Sequence, residues 1–399
     1  MSLPSRIAVV GTSAAGLSVV EGLRREGYTG RLSLIGEEEH LPYDRPPLSK
    51  QVLSGAWEAD RLRLRDADAI GALDLDLRLG SPAVGLDTDT REVTLADGGR
   101  VGYDALVVAT GTRARRLPGT EGVEGVHVLR TLEDALTLRD QLAARPHLLV
   151  VGGGFVGAEA AAVARGLGCE VTLVTDTAQP MGDALGDGLG AMLRAVHTEH
   201  GVRVMSGVRV DGVLTADGRA TGVRLLDGRT VAADAVLVGI GAQPNTEWLA
   251  DSGVPVSNGV VCDATLHAGS DAWAAGDVAA WPHPHTGEPV RIEHRTNAAE
   301  QGLAVARNIL AGPEHAKPFE TVPYVWSDQY DLKIQIYGRT RGADEVRIVE
   351  GSHDERRLVA LYGKGGRVCA AVGINMMRAL RGYRPQVAEA AEFPARSAA

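Results

Sequence analysis

At 399 residues, with 44% hydrophobic and 23% charged residues, the chain is neither a stapled mini-protein nor a disordered segment, and two or three domains with their own cores are expected. A formal net charge of -10 argues against nucleic acid as the main partner, because phosphate binding is driven by clustered positive charge. Cys169, Cys262 and Cys369 lie far apart and form no CxxC pair, which excludes a disulfide framework or redox dithiol and fits a reducing cytoplasm, and no apolar run reaches membrane length.

Arg6-Ile-Ala-Val-Val10 predicts a strand, Gly11-Thr-Ser-Ala-Ala-Gly16 a tight turn, and the residues to about Glu26 a helix closed by Gly27. Ile7 to Val20 has the apolarity of a signal-peptide core, but its glycine placement fits strand, turn and helix better. A second strand, Arg31-Leu-Ser-Leu-Ile35, ends at Gly36-Glu37 and completes a nucleotide-binding βαβ half. Arg61-Leu-Arg-Leu-Arg65 alternates charge with leucine and reads as a solvated strand face. Tyr103-Asp-Ala-Leu-Val-Val-Ala-Thr-Gly111 follows a polar hairpin at Asp97-Gly98 and predicts a buried strand ending in glycine.

The same order then returns. Leu148-Leu-Val-Val151 leads into Gly152-Gly-Gly-Phe-Val-Gly157, a helix to about Leu167, and the strand Glu170-Val-Thr-Leu-Val174 with Thr175-Asp176 at its end. Ala233-Asp-Ala-Val-Leu-Val-Gly-Ile-Gly241, after a hairpin at Asp227-Gly228, echoes the 103–111 strand. Trp273-Ala-Ala-Gly-Asp277 follows, then a helix from about Thr296 to Leu310. From about Phe319 strands dominate, at 332–337, 357–362 and 368–373, with a helix around Met376 to Leu380. The expected architecture is α/β: two Rossmann-like dinucleotide-binding domains plus a small α+β C-terminal domain. Residues 1–113 and 246–318 would form the first, 114–245 the second and 319–399 the third.

A dinucleotide's pyrophosphate needs a helix N-terminus with exposed amides, a small residue at the closest approach, and an acid at the end of the next strand for ribose hydroxyls. The second loop keeps Gly152, Gly154 and Gly157, and Asp176 follows. The first has Gly11 and Gly16 with Ser13 at the middle position, and Glu37 follows. One such loop is often only a strand-to-helix turn; two, each with its acid, point to two dinucleotides.

Tyr43-Asp-Arg-Pro-Pro-Leu-Ser-Lys50, Ala109-Thr-Gly111, Gly152-Gly-Gly-Phe-Val-Gly-Ala-Glu159, Ala275-Gly-Asp277 and Pro323-Tyr-Val-Trp-Ser-Asp-Gln-Tyr330 together resemble the oxygenase-coupled, NADH-dependent ferredoxin reductases, the group of putidaredoxin reductase and the reductases of aromatic-ring dioxygenases. The resemblance implies a glutathione-reductase-like fold, with FAD in the first domain and NADH in the second. It implies that Ser13, Ala14, Ala15 and the surrounding loop meet the FAD pyrophosphate, with Glu37 on the ribose and Val84 by the adenine. Ala109, Thr110 and Gly111 would line the flavin domain, Arg130 would lie near the domain junction and Asp277 on the ribityl chain. Phe155 and Val156 would open the NADH-loop helix, and Gly241 would close that unit. Lys50 would sit beside the flavin ring, paired with Glu159, with Arg45 and its two prolines as a stiff wall and Trp326 near the electron exit.

Lys50 also stands out without the resemblance. Only Lys50, Lys317, Lys333 and Lys364 are lysines among 41 basic residues. A compact ammonium stabilises an anionic reduced ring where a planar guanidinium would crowd a stacked nicotinamide. From spacing alone, Lys50 and Glu159 read as separate solvated charges of little worth, and only the resemblance joins them. His283 and His285 form an HxH in a proline-rich loop, but no third ligand sits at useful spacing, so a surface loop is expected rather than a metal site.

Two positions depart from the family pattern. Arg295 stands where relatives usually carry an apolar residue or tryptophan, and a cation near the flavin pyrimidine edge would raise its potential. Thr175 stands where a glutamate is usual, leaving Asp176 to hold the ribose diol, which favours NADH over NADPH. Arg61, Arg63 and Arg65, with Arg291 and Arg295, are candidates for a positive patch facing an acidic iron-sulfur ferredoxin. The expected reaction is hydride transfer from NADH to FAD, then single electrons to a ferredoxin that supplies a monooxygenase or dioxygenase, with no membrane involved. A rubredoxin reductase, or a redox-sensing flavoprotein resembling apoptosis-inducing factor, is the alternative; a cysteine-dependent reductase needs a cysteine that residues 43–50 lack.

Overall fold

A computed structural model of the chain describes residues 3–284 and 287–394. Backbone contacts divide it into two compact units. The first comprises Met1–Asp44, Asp60–Arg113 and Gln243–Thr321; the second comprises Arg45–Ala59, Ala114–Ala242 and Val322–Ala399. Among the described residues no helix is long and apolar enough to cross a membrane.

The first unit is built on a five-stranded parallel sheet in the order Ala272–Ala274, Ala105–Val108, Arg6–Val10, Arg31–Ile35, Leu75–Arg78. The central strand, Ile7 to Val10, is buried throughout, which explains its unbroken apolar run: both faces of a parallel sheet are covered. Helix Ala14–Arg25 then leaves the end of that strand, so the signal-like stretch is the core of a nucleotide-binding half. That helix packs against helix Arg295–Ala311, and the two come close because glycines face the contact. A Cβ at Gly302 would lie 2.5 Å from the Ala15 carbonyl oxygen and 2.8 Å from Ser18 Cβ. The turn at Asp97-Gly98 joins strands Glu92–Leu95 and Arg100–Gly102 of a small antiparallel sheet, with Gly98 at φ +85°. The run 61–65 is not a strand: Ala59–Leu62 form a 3-10 turn, and only Arg63 makes an isolated bridge, to Tyr43.

The second unit repeats the plan. Its parallel sheet runs Val202–Met205, Glu170–Val174, His147–Val151, Ala235–Val238, Val126–His127. Helix Leu132–Leu142 begins at a capping box in which Thr131 and Asp134 satisfy each other's backbone amides. Helix Phe155–Gly166 follows the second glycine loop, and Gly182–Glu199 covers the sheet, with a kink at Gly186 where φ is +69°.

The segment expected as a C-terminal domain forms a five-stranded antiparallel sheet, Tyr324–Gln329, Leu332–Gly338, Arg367–Ile374, Arg357–Lys364, Glu345–Ser352, in that order. Leu332, Ile334, Ile336, Leu358 and Ala360 share a buried cluster with Leu185, Leu189, Leu193 and Val196 of helix Gly182–Glu199.

The glycine contacts give a paired test of this packing. Gly302→Ala should lower stability by about 1–3 kcal/mol, since the neighbours are backbone and another helix. Gly188→Ala, in open space on helix Gly182–Glu199, should raise it by up to about 1 kcal/mol. Thermal unfolding of the two variants beside the wild type measures both signs.

Candidate functional site

In the first unit the ends of the parallel strands bring the sequence-selected residues to one edge. Gly11 has φ +124°, and a Cβ there would lie 2.0 Å from the Ala109 carbonyl oxygen; a Cβ on Gly16 would lie 1.8 Å from the Gly11 oxygen. No side chain forms an N-cap hydrogen bond to helix Ala14–Arg25, and its first turn holds no acid, so its amides suit an anion. Glu37 is exposed past the end of strand Arg31–Ile35, and Val84 is 53% exposed on strand Ala83–Asp87. Thr110 and Gly111 are tied to Asn245, whose backbone oxygen accepts from Thr110 Oγ1 at 2.7 Å and whose amide N–H donates to the Gly111 oxygen at 3.0 Å.

Gly276, at φ +81°, brings the Ala275–Asp277 turn against the first loop, a Cβ there lying 2.9 Å from Ala15 Cβ. The turn is anchored by a residue that sequence reasoning missed: buried Gln301 accepts from the Gly276 N–H at 2.8 Å through Oε1. Gln301 Nε2 and Asn297 Oδ1 are buried here without a hydrogen-bond partner among the described residues. Uncapped amides, an exposed acid and unspent amide groups are the donors and acceptors that a dinucleotide requires, so this edge fits FAD.

The second loop repeats the geometry. Gly152 has φ +107° with a virtual Cβ 2.2 Å from the Gly239 oxygen, and that of Gly157 lies 2.0 Å from the Gly152 oxygen. Gly154 caps helix Phe155–Gly166 in open space, and the first turn again has no acid. Its extended backbone, φ -75° and ψ -171°, is also that of Ser13, at -91° and -161°. The serine therefore needs no glycine-only conformation. Thr175 is buried against Gly153, whereas Asp176 is exposed past the strand end, and Gly241 takes φ +94°. Phe155 packs on the cluster shared with the C-terminal sheet, beside the half-buried Val156. This edge fits a second dinucleotide with a free ribose diol.

The same unit holds the charged pair. Pro46 and Pro47 lead into a single π-helical turn, Leu48–Val52, that turns Lys50 inward. Lys50 Nζ lies 2.7 Å from Glu159 Oε2, with side-chain exposures of only 10% and 4%. Glu159 sits about one turn into helix Phe155–Gly166, toward its positive end. Ser49 donates to Oε2 and Ser327 Oγ donates to Oε1 at 2.7 Å, so among the described residues the carboxylate has three side-chain donors, whereas Lys50 Nζ bonds to Glu159 alone. Gln329 Nε2 in turn donates to Ser327 Oγ at 3.0 Å and to Met181 Sδ at 3.1 Å. Ser49, Ser327 and Gln329 also escaped the sequence reading. Their signal was present, since Ser49 adjoins Lys50 and positions 327 and 329 share one face of a strand.

Arg45 Nη1 donates to the Arg130 carbonyl oxygen at 2.8 Å, joining two more of the expected residues. Trp326 stacks with Tyr324, their rings 5.8 Å apart at 25°. The postulated positive patch is corrected by its partners. Arg63 pairs with Asp60, Arg65 with Glu21, Arg291 with Glu293 and Arg295 with Asp44 at 2.5 to 2.6 Å, so their fields are largely cancelled. Arg295, the cation expected near the flavin pyrimidine edge, therefore carries an acid beside it. Among the described residues no group of three His, Cys, Asp or Glu is placed to hold a metal, and His285 lies outside them.

Residues 5–302 match the family described as pyridine nucleotide-disulphide oxidoreductase, and residues 324–399 match one described as reductase C-terminal. The chain is 38% identical over 374 residues to rhodocoxin reductase of Rhodococcus erythropolis, covering 93% of this chain and 87% of that protein. It is 37% identical over 382 residues to the ferredoxin–NAD(+) reductase subunit of the benzene 1,2-dioxygenase system of Pseudomonas putida, covering 94% and 90%. Its structure is similar to a chain of the covalent putidaredoxin reductase–putidaredoxin complex, with TM-score 0.91, 34% identity, and coverage of 96% and 93%.

The uneven bonding of the charged pair has a measurable consequence. Glu159→Ala strands an ammonium out of water and should cost about 3–5 kcal/mol. Lys50→Ala leaves the carboxylate with two serine donors and should cost distinctly less. Thermal unfolding of both variants checks the order; equal losses would show that the serines contribute nothing.

Proposed function

Because the chain belongs to the pyridine nucleotide-disulphide oxidoreductase family, we propose that it acts as an NADH-dependent ferredoxin reductase, taking hydride onto FAD and passing single electrons to an iron-sulfur ferredoxin of a monooxygenase or dioxygenase system. The observation that carries the reading is the Lys50–Glu159 pair, which ties the 43–50 motif to the helix of the second glycine loop. The disulfide chemistry in the family's name is not available here: the three cysteines are free, Cys169 and Cys262 are buried, and none lies in 43–50. Burial pushes the Cys262 thiol up to about 12, so it is inert as a thiolate. The absence of cysteine pairing also agrees with a cytoplasmic setting.

Bound FAD supplies both a hydride acceptor and a single-electron donor. This chain's residues do the rest. The amides of the 11–16 loop would hold its pyrophosphate, Glu37 its ribose and the Ala275–Asp277 turn its ribityl chain. The 152–157 loop would hold the NADH pyrophosphate and Asp176 the adenosine ribose, repelling a 2'-phosphate. Lys50, held in place by Glu159, is the cation this chain offers to the flavin ring, and Arg45, Arg130 and Trp326 are assigned to its surroundings.

Two measurements test this. Lys50→Ala should keep its FAD yet slow anaerobic single-turnover reduction by NADH by about 10²-fold, and an unaltered rate removes the lysine from the chemistry. Steady-state kcat/KM should favour NADH over NADPH by about tenfold or more, a preference that Asp176→Ala should erode.

A further inference from the structure

The hydrogen-bond chain does not stop at Gln329. His197, on helix Gly182–Glu199, is 0% exposed; its Nε2 lies 3.0 Å from Gln329 Oε1 and its Nδ1 3.0 Å from the Tyr330 hydroxyl. Tyr330 occupies the turn between strands Tyr324–Gln329 and Leu332–Gly338 with φ +54°, and its ring stacks on exposed His200 at 3.8 Å. An uninterrupted line of side chains therefore joins the protein surface to Glu159.

Its direction is fixed by charge. An ionised carboxylate only accepts, so the Ser327 proton is committed to Glu159 and Ser327 Oγ must accept from Gln329. The Gln329 amide nitrogen is thereby turned to Ser327 and Met181, and its oxygen to His197. Only an N–H at His197 Nε2 satisfies that oxygen. In neutral imidazole Nδ1 then accepts from Tyr330, so every donor in the line points toward Glu159.

We infer that His197 is a positioning residue for the Lys50–Glu159 pair, its Nε2–H locking the Gln329 amide in the one orientation that leaves the Ser327 proton for the carboxylate. Burial pushes the imidazole down to about 4, so it is neutral at pH 7, and burial raises the Tyr330 hydroxyl, which keeps it a donor. Without the Nε2–H the amide is free to flip, its oxygen then takes the Ser327 proton, and Glu159 loses a donor while holding Lys50. The inference rests on the role proposed for Lys50.

The test uses the FAD-loaded full chain. Nitrogen-15 NMR should find His197 as the Nε2–H tautomer at neutral pH; the Nδ1–H tautomer overturns the inference without any mutation. His197→Leu should keep FAD but slow flavin reduction by NADH about tenfold and shift the flavin midpoint potential. His197→Gln, which restores an N–H toward Gln329, should recover most of both. A folded His197→Leu protein with wild-type rate and potential overturns the inference. Should that variant not fold, Gln329→Glu takes its place: it offers Ser327 a second carboxylate, and an unchanged rate and potential are equally fatal. In a Lys50→Ala background His197→Leu should add no further slowing. If Lys50→Ala alone has no effect, the lysine assignment fails, a result distinct from loss of the histidine's role.

Discussion

Two opposite charges held almost out of water set the terms for the second unit. Removing an ammonium and a carboxylate from solvent costs several kcal/mol each, and a single contact between them does not offset it. The protein meets the cost with geometry. A proline-led π turn presents Lys50, helix Phe155–Gly166 presents Glu159 near its positive end, and two serines donate to the same carboxylate. Those contacts join three stretches far apart in the chain, so the carboxylate has its full set of donors only when the local turn, the second glycine loop and the C-terminal sheet are all in place.

The two cradles show what a dinucleotide loop fixes and what it leaves free. In both, the first glycine is fixed by a carbonyl about 2 Å from where a side chain would begin, and the last by the carbonyl of the first. Those contacts are backbone against backbone, and nothing soft can yield. The middle position takes an ordinary extended conformation in both loops, and at Gly154 a side chain would meet open space, which is why one loop carries Ser13 and the other Gly154 without a change of fold. Outside that frame the copies diverge: Thr12 packs under Gly36 in one, Thr175 over Gly153 in the other.

Much of this was legible in the residues. Strand runs, glycine turns and the helices after them follow local periodicity, and the hairpins at Asp97-Gly98 and Asp227-Gly228 lie where turn chemistry puts them. The charged pair was not legible from spacing, because nothing in the order of residues brings position 50 to position 159; resemblance supplied it. Ser327, Gln329 and His197 were missed because isolated polar residues read as solvent-facing until their burial is known. Arg61 to Arg65 misled in the opposite way: alternation at period two also arises around a short turn, where Arg63 pairs with Asp60 of that turn and Arg65 with Glu21 of a helix. A tally of charge counts Arg63, Arg65 and Arg295 as cations but does not see Asp60, Glu21 and Asp44 beside them.

Helix Gly182–Glu199 covers the parallel sheet of the second unit and is itself roofed by strands from the end of the chain. The boundary expected from the sequence near residue 319 is therefore not a boundary of cohesion, since 114–242 and 322–399 belong to one compact unit. Residues 114–245 excised alone would present a bare stripe of Leu185, Leu189, Leu193 and Val196 to water, and the final strands alone would be one half of an unclosed interior. A chimera exchanging one of these two pieces of sequence should therefore carry the other with it.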